Sequence, residues 1–397
     1  MIGRRSVLKG SVAVAAGMLS GVRLYAAPAT SPRFLLVFLR GGYDCANVLI
    51  PYASDFYYQA RPNLAIARPD PTQESGALAL DGNWALTPVL RPTLGALYSA
   101  RQAAFVPFAG TDDLSRSHFE TQDSIELGQG TQSARDYGSG FLARLSGVLT
   151  GAPPIAFTDA LPVAFRGKND VSNISLKGVA RAPFDTRQAA ELNRMYEGHH
   201  LQTAVQDGLQ LRETVAEEFA EEMVAANRGA VTTRGFQLEA GRIARLLRDQ
   251  YRLGFVDIGG WDTHVNEGAA QGALANNLDN LGRGLAALAD GMGPDWANTV
   301  VVVISEFGRT FRENGNRGTD HGHGSVYWVL GGAIAGGQVA GRQVRVERAT
   351  LFQDRDYPVL NNYRALLGGL FRRLWSLSPT ELERVFPGAE PIDYHLV

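Results

Sequence analysis

Residues 271–304 read QGALANNLDNLGRGLAALADGMGPDWANTVVVVI. Leu274, Leu278, Leu281, Leu285 and Leu288 recur at spacings of four and three, which lays one apolar stripe along an amphipathic helix. Beyond Gly291–Asp295, the run Thr299–Ile304 holds four consecutive valines. A run so evenly apolar suits a central parallel strand covered on both faces. Upstream of the helix lies a second apolar run, Leu253–Ile258 (LGFVDI). Strand, helix, strand in this order is a βαβ unit, so an α/β fold is expected, with a central, mostly parallel sheet between helices.

Further apolar runs extend the sheet at Phe34–Leu39 and Ala103–Phe108, and Val326–Leu330 is another. Residues 111–140 are polar and Gly-rich and read as a long loop with a short helix near His118. Residues 187–250 are charged, Ala-rich and almost free of Pro and Gly, which predicts a helical insertion within a single domain over 30–397. No repeat or low-complexity tract interrupts this order.

The amino terminus predicts export. Arg4 and Arg5 open a basic stretch, Ser11–Gly21 is modestly apolar, and Ala26, Ala27 and Ala29 offer small residues for cleavage. That is a signal peptide over 1–29, and the paired arginines favour the twin-arginine machinery and a periplasmic or secreted destination. The apolar run falls short of the ~20 residues a membrane span needs, although an uncleaved anchor is the alternative. Cys45 is the single cysteine, so no intrachain disulfide forms. Removing residues 1–27 takes four cations and no acid, moving the formal charge from −2 to −6. A mildly acidic chain carries no electrostatic footprint for nucleic acid.

Four Gly-flanked motifs carry the chemistry: LRGGYDCAN (Asp44), GGWDTH (Asp262, His264), SEFGRT (Glu306) and TDHGHG (Asp320, His321, His323). Three of them follow predicted strands, and in α/β sheets ligands gather outside the carboxyl ends of the strands. Converging carboxylates and imidazoles are ligands for divalent metals. Each motif also has a plainer reading. Asp262 and His264 suit a structural pair, Glu306 could pair with Arg309, and Asp44 could stabilise a turn. Only seven histidines occur, and three lie in GGWDTH and TDHGHG, which favours ligand use there. Ser115, Arg116, Ser117 and His118 group hydroxyls, a cation and an imidazole, suited to a metal-activated serine with an arginine on an anionic ester. Ser117 also suits a helix N-cap. Cys45 reads as buried and inert, and His199 and His200 as surface residues.

From RFLLVFLRGGYDCANVLIPY through SRSHFETQD, GGWDTH and SEFGRTFRENGNRGTDHGHG, the chain resembles the exported bacterial family catalogued as domain of unknown function 1501. That family lies in the alkaline phosphatase and sulfatase superfamily. The resemblance implies an alkaline-phosphatase-like sheet with two metal positions at its carboxyl edge. Asp262, His264 and a TDHGHG histidine would match one, and Asp44 and Glu306 the other. Two departures stand out. Glu306-Phe307 replaces the superfamily's adjacent Asp-His pair, leaving the missing imidazole to His118 or His323, and the Cys/Ser-Pro-x-Arg nucleophile motif is absent. The expected activity is hydrolysis of a small phosphate or sulfate ester with one or two divalent ions, zinc first, calcium or manganese otherwise. Ser117 is the candidate nucleophile and Ser115 the second, with Arg116 or Arg309 holding the anion. The competing expectation is an exported binding or assembly protein with a degenerate site.

Overall fold

The computed structural model describes residues 32–73, 75–175, 186–203, 205–207, 209 and 235–397. The leader expected over 1–29 and residues 210–234 of the expected insertion lie outside these. In chain order the strands are β1 (Arg33–Leu39), β2 (Leu49–Ile50), β3 (Leu78–Ala79), β4 (Ala85–Leu86), β5 (Ala103–Gly110) and β6 (Pro154–Phe157). They continue as β7 (Ser172–Asn173), β8 (Leu253–Ile258), β9 (Thr299–Ser305), β10 (Ser325–Leu330), β11 (Gln338–Val339) and β12 (Asn361–Asn362).

The main sheet runs β11-β5-β10-β9-β1-β8-β6-β7, with β12 also on β5, while β2, β4 and β3 form a small separate sheet. β1 pairs in parallel with β8 on one side and β9 on the other, and Leu39 aligns with both Ile258 and Ser305. β10 runs antiparallel to both β5 and β9. This reversal decides where the site lies. The carboxyl ends of β1, β5, β8 and β9 share one edge, and β10 begins at that edge, so the loop before Ser325 opens onto it too.

The apolar runs are continuous because the sheet is covered twice. Along β1, Leu35, Val37 and Leu39 join one core while Phe34, Leu36 and Phe38 join the other. β9 divides likewise, with Val301 and Val303 on one face and Val300, Val302 and Ile304 on the other. Each such side chain contributes ~1.5–3 kcal/mol through burial. The predicted leucine stripe lies on the helix Ala273–Met292, whose five leucines are all buried. Helix Phe236–Asp249, the end of the stretch expected as an insertion, packs against it in the same core. Gly284 and Gly291 allow that approach, since a Cβ would stand 2.1 Å from the Phe236 ring and 2.8 Å from Ala244 Cβ. Helices Phe141–Val148, Tyr363–Trp375 and Pro379–Val385 cover the opposite face. Among the described residues, no helix is long and apolar enough to cross a membrane.

The turn after β1 is set by backbone contact. Gly41 has φ +127°, and a Cβ there would stand 2.8 Å from the backbone nitrogen of Asp262. Gly41→Ala should therefore lower stability by ~1–3 kcal/mol, the usual cost of an enforced strained backbone. Gly315→Ala, whose Cβ meets nothing within 4 Å, should be near neutral. Chemical denaturation of both variants checks this, and equal midpoints would show that the β1 turn is not so constrained.

Candidate metal centre

The strand ends bring three imidazoles and one carboxylate together. His118 is the first residue of helix His118–Leu127, while Asp262 and His264 follow β8 and His321 precedes β10. His321 Nε2 lies 2.9 Å from His118 Nε2 and 3.1 Å from His264 Nε2. Asp262 Oδ1 is 2.9 Å from His264 Nε2 and 3.3 Å from His321 Nε2, and Oδ2 is 3.6 Å from His118 Nε2. His118, Asp262 and His321 can each place a ligand atom within 4.8 Å of the others.

The far side of each ring explains why the Nε2 atoms meet. His118 Nδ1 lies 2.8 Å from Glu306, His264 Nδ1 3.2 Å from Asp320, and His321 Nδ1 3.0 Å from the Arg116 carbonyl. These partners only accept, so each neutral ring holds its proton on Nδ1 and presents the Nε2 lone pair inward. Arg309 Nη1 lies 3.4 Å from His264 Nε2 and relieves one side of the group, while the lone pairs of His118 and His321 still repel one another unless a cation lies between them. Outer acceptors that fix the ligand tautomer are the usual support of metal-binding histidines. The donor set therefore fits a divalent metal.

Every supporting group has a traceable partner. Glu306 is fully buried at the end of β9 and accepts from Gly41 N, His118 and Gln122 on Oε1 and from Ser305 Oγ on Oε2, at 2.8–2.9 Å. Burial alone would raise its carboxyl, but the His118 and Gln122 hydrogen bonds hold it below the usual range. Asp262 shows the same opposition, with burial outweighed by the Arg309 guanidinium and then by His264 and His118. Asp320 is likewise lowered against its burial by Asn314 and His264. Burial, then the His118 and Arg309 charges, lowers His321, which keeps the ring neutral near pH 7.

Phe307 packs against His118 and His321, with ring centroids 4.9 and 5.0 Å away. At this position the chain thus has a buried wall for two imidazoles. Gly318 allows the 319–321 loop to approach the 262–264 loop, since a Cβ there would lie 2.3 Å from the His264 carbonyl oxygen.

Other predicted site residues lie elsewhere. Asp44 is buried on Arg61, with contacts of 2.5 and 2.9 Å, and takes no part in the imidazole group. His323 is buried beside Phe352, and burial followed by the Arg116 charge lowers it to about 4. Asp320 supports His264 from the far side of its ring. Arg309 pairs with Asp262 and not with Glu306. Arg116 points away, its guanidinium on Asp356 at 2.6 Å and Gln353 at 2.8 Å, and contributes its carbonyl to His321. Ser117 caps helix His118–Leu127 without a side-chain capping bond, and Ser115 Oγ lies 3.2 Å from Thr121 Oγ1. Cys45 is buried, which pushes its thiol up to about 12, so it is no nucleophile. His199 and His200 are exposed. Arg61 and Gln122 went unread because isolated residues of common types carry no spacing signal.

The family described as "Protein of unknown function (DUF1501)" spans residues 31–386. The chain belongs to that family. No curated protein matches this DUF1501 member. Among solved structures it is similar to Ps i-CgsB in complex with k-i-k-neocarrahexaose, with TM-score 0.38 and 10% identity over 88% of this chain and 74% of that one. Ps i-CgsB itself gives TM-score 0.36 and 9% identity over the same shares. A protein in the alkaline phosphatase superfamily from Vibrio parahaemolyticus gives TM-score 0.34 and 11% identity over 76% of this chain and 60% of that one.

His118→Ala, His264→Ala and His321→Ala should each lower zinc affinity at least ~10-fold, as loss of metal-supporting groups does. His323→Ala should leave it unchanged. Zinc titration against a chelator reads both effects. Retained affinity in the His264→Ala/His321→Ala double variant would remove the ligand assignment.

Proposed function

We propose that this protein is an exported, metal-dependent hydrolase of phosphate or sulfate esters. The observation that carries the reading is the convergence of three Nε2 atoms and the Asp262 carboxylate at the strand-end crevice. His118, His264, His321 and Asp262 would hold one ion. Three imidazoles and a carboxylate suit zinc, with manganese next, whereas calcium prefers six to eight oxygens. When bound, such an ion supplies positive charge to a developing oxyanion and to a leaving oxygen. One ion fits better than two, because Asp44 and Glu306, the expected second set, are spent on Arg61 and on four hydrogen bonds.

Ser117 remains the candidate nucleophile. It immediately precedes His118, and its hydroxyl makes no capping bond. The free backbone N–H groups of the first turn form a natural anion seat beside it. Arg116 and Arg309, both committed to protein partners, leave the anion to Arg355. That side chain donates to the His321 carbonyl at 3.0 Å and keeps 41% exposure. The commitment of Arg116 and Arg309 also favours the second reading, an exported binding protein that keeps the metal group without turnover.

Ser117→Ala should abolish aryl phosphate or aryl sulfate hydrolysis while metal content holds and stability changes by no more than ~1 kcal/mol, the cost of a lost cap. Ser115→Ala should keep activity. Both activity and metal binding should fall as pH drops below the usual imidazole range, since burial lowers His321 and a protonated imidazole cannot ligate. Metal-loaded wild type that cleaves no ester in a broad panel would establish the binding reading instead.

A further inference from the structure

Behind the metal group lies a buried charge cluster that the hydrolytic reading does not use. Asp44, Arg61 and Glu267 are 1%, 0% and 0% exposed. Arg61 grips Asp44 through both terminal nitrogens and spends its other contacts on the carbonyls of Phe311 and Thr310 and on Asn47. One cation therefore faces two carboxyl groups.

Glu267 divides its two oxygens. Oε2 accepts from the Thr263 hydroxyl at 3.0 Å and the Thr319 hydroxyl at 2.7 Å. Oε1 has no donor, and the Glu267 carboxyl interacts with that of Asp44. Two ionised carboxylates only accept, so contact between them requires a proton. Both Asp44 oxygens already accept from the Arg61 fork, which leaves the shared proton to Glu267. Burial, then the Asp44 charge, raises Glu267 well above the usual carboxylate range, in agreement with the contact.

The two threonines reveal the use of this acid. Thr263 sits between Asp262 and His264, and Thr319 immediately precedes Asp320-His321. The loops also touch directly, Thr319 N donating to the Thr263 carbonyl at 3.2 Å. We propose that Glu267 is a positioning residue: a neutral acid that donates to Asp44 and gathers the two ligand-bearing loops on its other oxygen. Asp44, expected as a metal ligand, thus acts two contacts away, as the acceptor that orients Glu267. Because the cluster sums to zero charge, it fixes the ligands without adding a second negative charge beneath them. This inference rests on the metal reading of the site.

The full chain, titrated with zinc against a chelator and with cobalt followed by its visible spectrum, tests it. Glu267→Ala should weaken zinc binding ~10–100-fold, the usual effect of removing support behind a metal ligand, and should alter the cobalt bands. Glu267→Gln should restore affinity to within ~3-fold, since its amide copies a neutral acid by donating to Asp44 and accepting from both threonines. If Glu267→Ala does not fold, Thr263→Val/Thr319→Val removes the clamp alone and should weaken binding ~10-fold. Wild-type affinity in Glu267→Ala, or in the threonine pair, overturns the clamp. A Glu267→Gln protein as weak as Glu267→Ala overturns the neutral acid. Wild type that binds neither ion sinks the metal reading, and the ligand-positioning role falls with it.

Discussion

One guanidinium joins the loops on which the site depends. Arg309 is buried, and its side chain donates to the carbonyls of Gly41, Gly42, Trp261 and Thr319 and to the Asp262 carboxylate. These acceptors come from the ends of β1 and β8 and from the loop that leads into β10. A buried cation is tolerated only when its hydrogen-bonding capacity is met, and here carbonyls meet it from three directions. The planar fork makes the geometry specific, so lysine could not substitute without orphaning several carbonyls. By drawing Asp262 against itself, Arg309 also fixes the single carboxylate of the metal group.

Charge balance organises the rest of the crevice. Glu306 is stabilised by four donors, one of them His118, so the buried acid at the end of β9 orients an imidazole. Asp44 is balanced by Arg61, and Asp356, also buried, by Arg116. Two acids read in isolation as ligands, Asp44 and Glu306, thereby become supports. The groups left facing one another at the centre are three imidazole nitrogens and the Asp262 carboxylate that Arg309 holds.

The fold was legible because its strands are buried twice. Apolar runs such as Thr299–Ile304 and Leu253–Ile258 lie within one residue of the observed strands, and the leucine stripe falls on a helix with all five leucines inside. The convergence of His264, His321 and Asp262 was legible too, since short Gly-flanked motifs after strands have one common destination. Ligand choice was harder. Asp44 and Asp262 look equivalent in sequence, and only Arg61, seventeen residues past Asp44, separates their roles. His323 shares a motif with His321, yet its ring packs away from the group, against Phe352. His118 was read both in a catalytic group and as a stand-in imidazole, and its Nε2 meets the other rings because Glu306 holds its Nδ1.

The position of β1 also constrains the order of assembly. It is the first strand of the described chain, yet it lies at the centre of the sheet between β8 and β9. Its hydrogen bonds reach partners 214 to 266 residues later, as in Arg33 to Leu247 and Ser305 to Leu39. Contacts of such long range delay folding, because loop closure must precede any gain from pairing. Until Ile258 has been synthesised both edges of Phe34–Leu39 are open, and until Ser305 has been synthesised one still is, a template for intermolecular pairing. The metal group is bound to the same schedule, since its ligands cannot meet before β1 has been enclosed. The meeting of His118, Asp262, His264 and His321 is therefore a mark that β1 has been enclosed.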